Sequence, residues 1–196
     1  MRTPFLVAAS LVSAALAQPL QSQTDFRKAT WGMTAAQVMA IEPAKPSAVL
    51  AEKPETIVQY DSSGFAGLTG RLLYIFADDK LVRVKFLFDA EHSDENEFIG
   101  DFRTVEPLLL EKYGKPTSDR AIWLDDQTQQ EPKSYLDQDR ATATGIFPSD
   151  GNVGLAVSLG HLKLVTERAG GRTRVIHVLT GAERHIVHQV ELSRVN

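Results

Sequence analysis

Residues 71–89 read RLLYIFADDKLVRVKFLFD, and this stretch decides the fold. Two runs rich in aliphatic and aromatic residues, Arg71 to Ala77 and Leu81 to Asp89, flank Asp78-Asp79, the pattern of a tight β-hairpin. In the second run Val82, Val84, Phe86 and Phe88 alternate with Arg83, Lys85 and Leu87, which predicts one buried face and one mixed face. With Asp78-Asp79 as the turn, Phe76 is expected opposite Leu81, Tyr74 opposite Arg83, and Leu72 opposite Lys85.

Upstream, Thr30-Trp31-Gly32-Met33-Thr34-Ala35-Ala36-Gln37-Val38 announces a helix. Thr34 and Gln37 have the spacing of a capping box, and Met33 and Val38 sit where a hydrophobic staple closes. Pro43 and Pro46 stop that helix near Glu42, residues 44–54 read as an irregular connection, and Thr56 to Tyr60 as a short strand. Gly64, Gly67 and Gly70 form a flexible turn; no lysine follows, so they make no phosphate loop.

Downstream, a second helix opens near Ser93-Asp94, where Asp94, Glu95 and Glu97 suit the positive end of its dipole. Phe98, Phe102, Val105, Leu109 and Tyr113 form its core stripe. Pro107 is expected to kink or split it, and Gly114 and Pro116 to end it. Ala121 to Leu124 reads as a strand and Asp125 to Asp139 as a polar loop. The remainder is β: Ala141 to Phe147, Val153 to Glu167, Thr173 to Thr180 and Arg184 to Leu192, with turns at residues 148–151 and Gly170-Gly171. Helix then strands, twice over, implies an α+β protein with an antiparallel sheet backed by helices. The two halves fall at residues 26–116 and 117–196 of a single domain, 26–196.

Residues 1–17 have the order of a secretory signal peptide: Arg2, an apolar run from Phe5 to Leu16, and Ala15-Leu16-Ala17 before Gln18. The mature chain then begins at Gln18, with a loose arm over 18–25 and no transmembrane anchor, in the periplasm or outside the cell. Loss of Arg2 takes the formal charge from −4 to −5, and an acidic chain without a basic block suits no nucleic acid. The absence of cysteine excludes a thiol nucleophile, a cysteine-based zinc site and a lipoprotein anchor.

No residue pattern names a reaction. A G-x-S-x-G elbow, S-x-x-K, H-E-x-x-H and a Walker loop are all missing, so no catalytic residue, metal ligand or cofactor is assigned. His185 and His188 are three apart on a strand and point to opposite faces. His177 and His188 share a face, as diagonal neighbours, if Gly181-Ala182 turns the chain; Glu191 then lies on the other face and supplies no third ligand. Asp137-Gln138-Asp139 starts like a calcium loop but lacks its glycine and closing glutamate. The feature with most promise is the mixed hairpin face, where Tyr74 and Phe76 interleave with Arg83 and Lys85 as contact residues for a protein partner. The competing reading covers that face with a helix or with the second half.

Trp31-Gly32-Met33-Thr34 leading into an amphipathic helix, the hairpin beyond it, and Lys112-Tyr113-Gly114-Lys115-Pro116 at the second helix end resemble a group of small exported bacterial α+β proteins. These are of the β-lactamase-inhibitor-protein-like kind, related in shape to the BamE-type lipoprotein of outer-membrane assembly. Over residues 26–116 the resemblance implies a helix-backed antiparallel sheet that binds other proteins, and it carries over no catalytic residue.

The leading expectation is therefore a non-enzymatic exported protein that binds a protein partner in the cell envelope. Two alternatives stand beside it: a small periplasmic hydrolase or metal-dependent enzyme using His177 and His188, and a binder of a small apolar ligand.

Overall fold

The computed structural model describes residues 24–52, 54–123, 162–182 and 185–195. The signal peptide, the polar loop 125–139, the strand and turn expected over 141–151 and the calcium-like Asp137–Asp139 lie outside the described residues.

Chain order among the described residues is helix and four strands, then helix and four strands again. The first set is α1 (Ala35–Ile41), β1 (Ala48–Glu52), β2 (Glu55–Phe65), β3 (Leu68–Ala77) and β4 (Lys80–Phe88). The second is α2 (Glu95–Tyr113), β5 (Ser118–Trp123), β6 (Leu162–Gly170), β7 (Thr173–Ala182) and β8 (His185–Arg194). All eight strands form one antiparallel sheet in the order β1-β2-β3-β4-β8-β7-β6-β5, so the two meanders meet where β4 pairs with β8. The α+β architecture is as expected, but it is dominated by the sheet, and two helices back only part of one face.

Local chemistry accounts for the elements. Thr34 caps α1: its hydroxyl accepts from Gln37 N–H, and the Gln37 side chain accepts from Thr34 N–H, closing the capping box. Asp78 and Asp79 both have positive φ, as a two-residue turn matched to strand twist requires, and Ala77 pairs with Lys80 across it. Ala66-Gly67 turns β2 into β3 in the same way. Pro107 does not split α2, which runs unbroken past it; the residue is exposed, so water can serve the backbone where the proline lacks an N–H. A further correction concerns residues 44–54, which contain edge strand β1 rather than an irregular link.

The core lies between the helices and the sheet face beneath them. Val38 of α1 and Val105, Leu109 and Tyr113 of α2 pack with Val58, Tyr60, Leu72, Tyr74, Phe76, Val84, Phe86, Val175, Val190 and Leu192. The segment before α1 is tied down by Asp25. Its carboxylate accepts from Trp31 N–H at 2.8 Å, Arg172 at 3.0 Å and the Thr173 hydroxyl at 3.2 Å, while Tyr113 donates to its carbonyl at 2.7 Å. Among the described residues no helix is long and apolar enough to cross a membrane.

Candidate functional site

The hairpin register departs from expectation by one residue, and that changes the surface. Phe76 does pair with Leu81, but a bulge places one extra β4 residue, Val82, before the next pair, Ile75 with Arg83. Beyond it Tyr74 faces Val84 and Leu72 faces Phe86. Tyr74 and Phe76 therefore point under the helices and are fully buried, while Arg83 and Lys85 project from the opposite face. The four residues are not brought together. Tyr74 instead donates a hydrogen bond to Glu42, and burial together with that carboxylate raises its phenol pKa.

On the face away from the helices, Leu73 and Ile75 of β3 lie opposite Lys85 and Arg83 of β4. Arg83 pairs with Glu55 of β2 at 3.1 Å, and Lys85 with Glu191 of β8 at 3.3 Å. A second ion-pair group on β5–β7 links Glu167 to Arg174 at 3.0 Å and to Arg120 at 3.6 Å. This face, the one the helices leave open, is thus mixed: partly exposed charges are set among half-buried Leu73, Leu87 and Ile176, while Ile75, Val165 and Val178 on the same side are buried.

Beneath the helices lies a second cluster, one that sequence reasoning reached only in part. β7 and β8 run past the expected Gly181-Ala182 turn, with Ala182 paired to His185, so His177 sits opposite Val190 and Leu179 opposite His188. The two imidazoles are diagonal neighbours on one face even so, and their Nε2 atoms lie 2.9 Å apart. The third group is Glu106 of α2, whose Oε1 lies 2.6 Å from His177 Nδ1. Arg168 donates to both Glu106 oxygens, and the Thr166 hydroxyl donates to Oε1 at 2.7 Å. Phe102 stacks on His177 with ring centres 3.7 Å apart, and Phe88 stacks on His188 at 4.0 Å.

Electrostatics assign the protons. Burial alone would raise the Glu106 pKa, but hydrogen bonds from His177 and Arg168 outweigh it and hold the carboxyl below its usual range. Burial pushes His177 down against the pull of Glu106, and it pushes His188 down to about 2 with His177 adding to the effect. Both rings are neutral at physiological pH. His177 donates its Nδ1–H to Glu106, so its Nε2 accepts from His188 Nε2–H. Nδ1 of His188 is left as a buried lone pair without a partner. A carboxylate–imidazole–imidazole chain is the wiring of a general base. Here, however, His177 is 0% exposed and His188 only 3%, so neither ring meets a substrate from solvent.

Among the described residues no group of three or more histidine, aspartate or glutamate side chains is arranged to hold a metal ion. Comparison with protein-family models, curated proteins and solved structures finds no match for this chain.

Proposed function

We propose that this chain is an exported, non-enzymatic binding protein that holds a protein partner in the cell envelope against the open face of its sheet. The observation that carries the reading is the composition of that face: Arg83, Lys85, Glu55 and Glu191 in ion pairs beside the partly exposed Leu73 and Leu87. Aliphatic area supplies affinity on contact, and charges of both signs set orientation and exclude mismatched partners. The contact residues are Arg83 and Lys85 together with the partly exposed Leu73 and Leu87, which take the places first given to Tyr74 and Phe76. The likeness to β-lactamase-inhibitor-protein-like modules and the signal-peptide pattern of residues 1–17 support the same reading. The buried Glu106–His177–His188 chain then serves the fold, locking α2 to β6, β7 and β8.

A photo-crosslinking amino acid at Leu73, in cells that export the protein, tests this. The expected result is one discrete adduct, absent when the probe sits at Leu110 on α2 and lost when Arg83 and Lys85 are both changed to glutamate. No adduct from Leu73, or an adduct indifferent to that charge reversal, overturns it.

A further inference from the structure

Each helix sends one carboxylate to the third strand of its own meander, and the two receivers differ. Glu42, at the end of α1, accepts from the Tyr74 hydroxyl on β3. Glu106, in the middle of α2, accepts from His177 on β7. In mild acid a phenol simply keeps its proton, whereas a free imidazole gains one below about pH 6.5. The second link has no room for that proton. His177 Nδ1–H already faces Glu106, and the 2.9 Å between the two Nε2 atoms holds a single hydrogen. Another one there would set two N–H groups head to head. Nδ1 of His188 has no acceptor, and the Phe88 and Phe102 rings stack against the pair. Glu106 is already matched by Arg168, with the Thr166 hydroxyl on its Oε1, so it has no charge to spare for an imidazolium. Among the described residues these are the groups that face the rings: Glu106 and Phe102 from α2, Arg168 and Thr166 from β6, Phe88 from β4, and each ring for the other.

How the surrounding elements are attached decides which one yields. β7 and β8 share a backbone ladder that runs from Thr173 paired with Arg194 to Ala182 paired with His185. The entry to α1 is tied to β4 by backbone bonds, Gly32 N–H to Leu81 O at 3.0 Å and Leu81 N–H to Met33 O at 2.8 Å. α2 is held by side chains: Glu106 at its centre, Tyr113 at its end, and the apolar stripe of Phe102, Val105 and Leu109. We infer that the Glu106–His177–His188 chain is an acid-operated latch, through which mild acid releases α2 from β6, β7 and β8 while the sheet and α1 stay in place. The open form lets water and protons reach both rings, and it bares an apolar stripe that the closed form hides. This release is local, stops short of unfolding, and does not depend on what the open face binds.

Val38 on α1 and Val105 on α2 are both fully buried, and the chain has no cysteine, so Val38→Cys and Val105→Cys are matched probes of the two helices. Their reaction with dithiodipyridine, which attacks thiols in acid as well as at neutral pH, is scaled to that of a small free thiol. With an ordinary imidazole in the open form, uptake of one proton favours opening about eightfold between about pH 6 and about pH 5. The Val105 thiol should therefore react about eightfold or more faster at the lower pH. There it should also outpace the Val38 thiol, which waits for global unfolding, by about tenfold or more. Low urea should leave the Val105 rate unchanged, because a local opening exposes little surface. His188→Leu should cut the acid rise by about eightfold. Hydrogen exchange of the unsubstituted protein reads the same event: α2 amides should exchange in mild acid through an opening that low urea does not alter. The inference is overturned if the Val105 thiol reacts no faster than the Val38 thiol in mild acid, or equally fast at both pH values. It is overturned too if His188→Leu leaves the rise intact, or if α2 amides exchange only as fast as urea-sensitive global unfolding allows.

Discussion

Acidification from about pH 6 to about pH 5 should cost this protein about 1 kcal/mol of stability or more, and His177 and His188 are the reason. Burial holds the pKa of both below the ordinary histidine value, so the unfolded chain binds protons that the fold refuses. Stability is therefore complete above the unfolded value of about 6.5 and declines below it. Integrating the linkage relation over that one pH unit gives about 1 kcal/mol for His188, whose pKa burial pushes down to about 2, and His177 adds in the same direction. Other groups contribute little in the window. His92, whose pKa is raised chiefly by its hydrogen bond to Asp101, adds stability that is fully present below about 6.5, so its change falls above pH 6. The lowered pKa of Glu106 gives stability that is lost only as pH drops through the carboxylate range, below pH 5. Urea unfolding at constant ionic strength reads the effect: with a slope of about 2 kcal/mol/M, the midpoint should fall by about 0.5 M or more. His188→Leu should make the fall clearly smaller. A midpoint that does not move between the two pH values would mean that the folded state accepts these protons, and the assignment of both rings as neutral and sealed would be wrong.

Tyr74→Ala should cost about 3–5 kcal/mol in denaturant melts, since it empties a fully buried aromatic site beside Phe26 and Tyr60; a loss under about 1 kcal/mol would return the side chain to the surface. Thr34→Ala, which opens the capping box of α1, should cost about 0.5–2 kcal/mol by the same measurement. Arg168→Met removes a guanidinium that Glu106 meets in the core, and calorimetric or urea unfolding should show a loss of about 3–5 kcal/mol.

Much of the fold was legible because it rests on local rules. Thr34 and Gln37 cap a helix wherever the chain permits one, and Asp78-Asp79 tolerate the left-handed backbone that a tight hairpin turn needs. What escaped was set by partners distant in sequence. β1 has no alternation and little β preference of its own; it is a strand because β2 offers it a ladder. The Val82 bulge leaves no mark in the apolar pattern, and that one residue decided whether Tyr74 faced solvent or core. Glu106 did leave a signal. With Phe102, Leu109 and Tyr113 it follows spacings of 4, 3 and 4, on the same stripe as the core residues. Thr166 and Arg168 likewise share the period-two buried face of β6 with Leu164. No single sequence says that a carboxylate on such a stripe goes inward, because the groups that neutralise it lie on strands more than fifty residues away.

The joint between β4 and β8 also governs when the molecule can exist. Among the described strands, β8 joins the two meanders within the sheet, through pairs such as Phe86 with Val190. A nascent chain emerging from the ribosome can complete its first meander early, but β4 then waits with an open hydrogen-bonding edge until β8, about a hundred residues further on, has been made. Contacts this distant in sequence form slowly, and an unpaired edge invites wrong partners in the interval. Joining of the sheet is therefore gated by the synthesis of β8, and loss of that strand would leave two unjoined half-sheets rather than a slightly smaller protein.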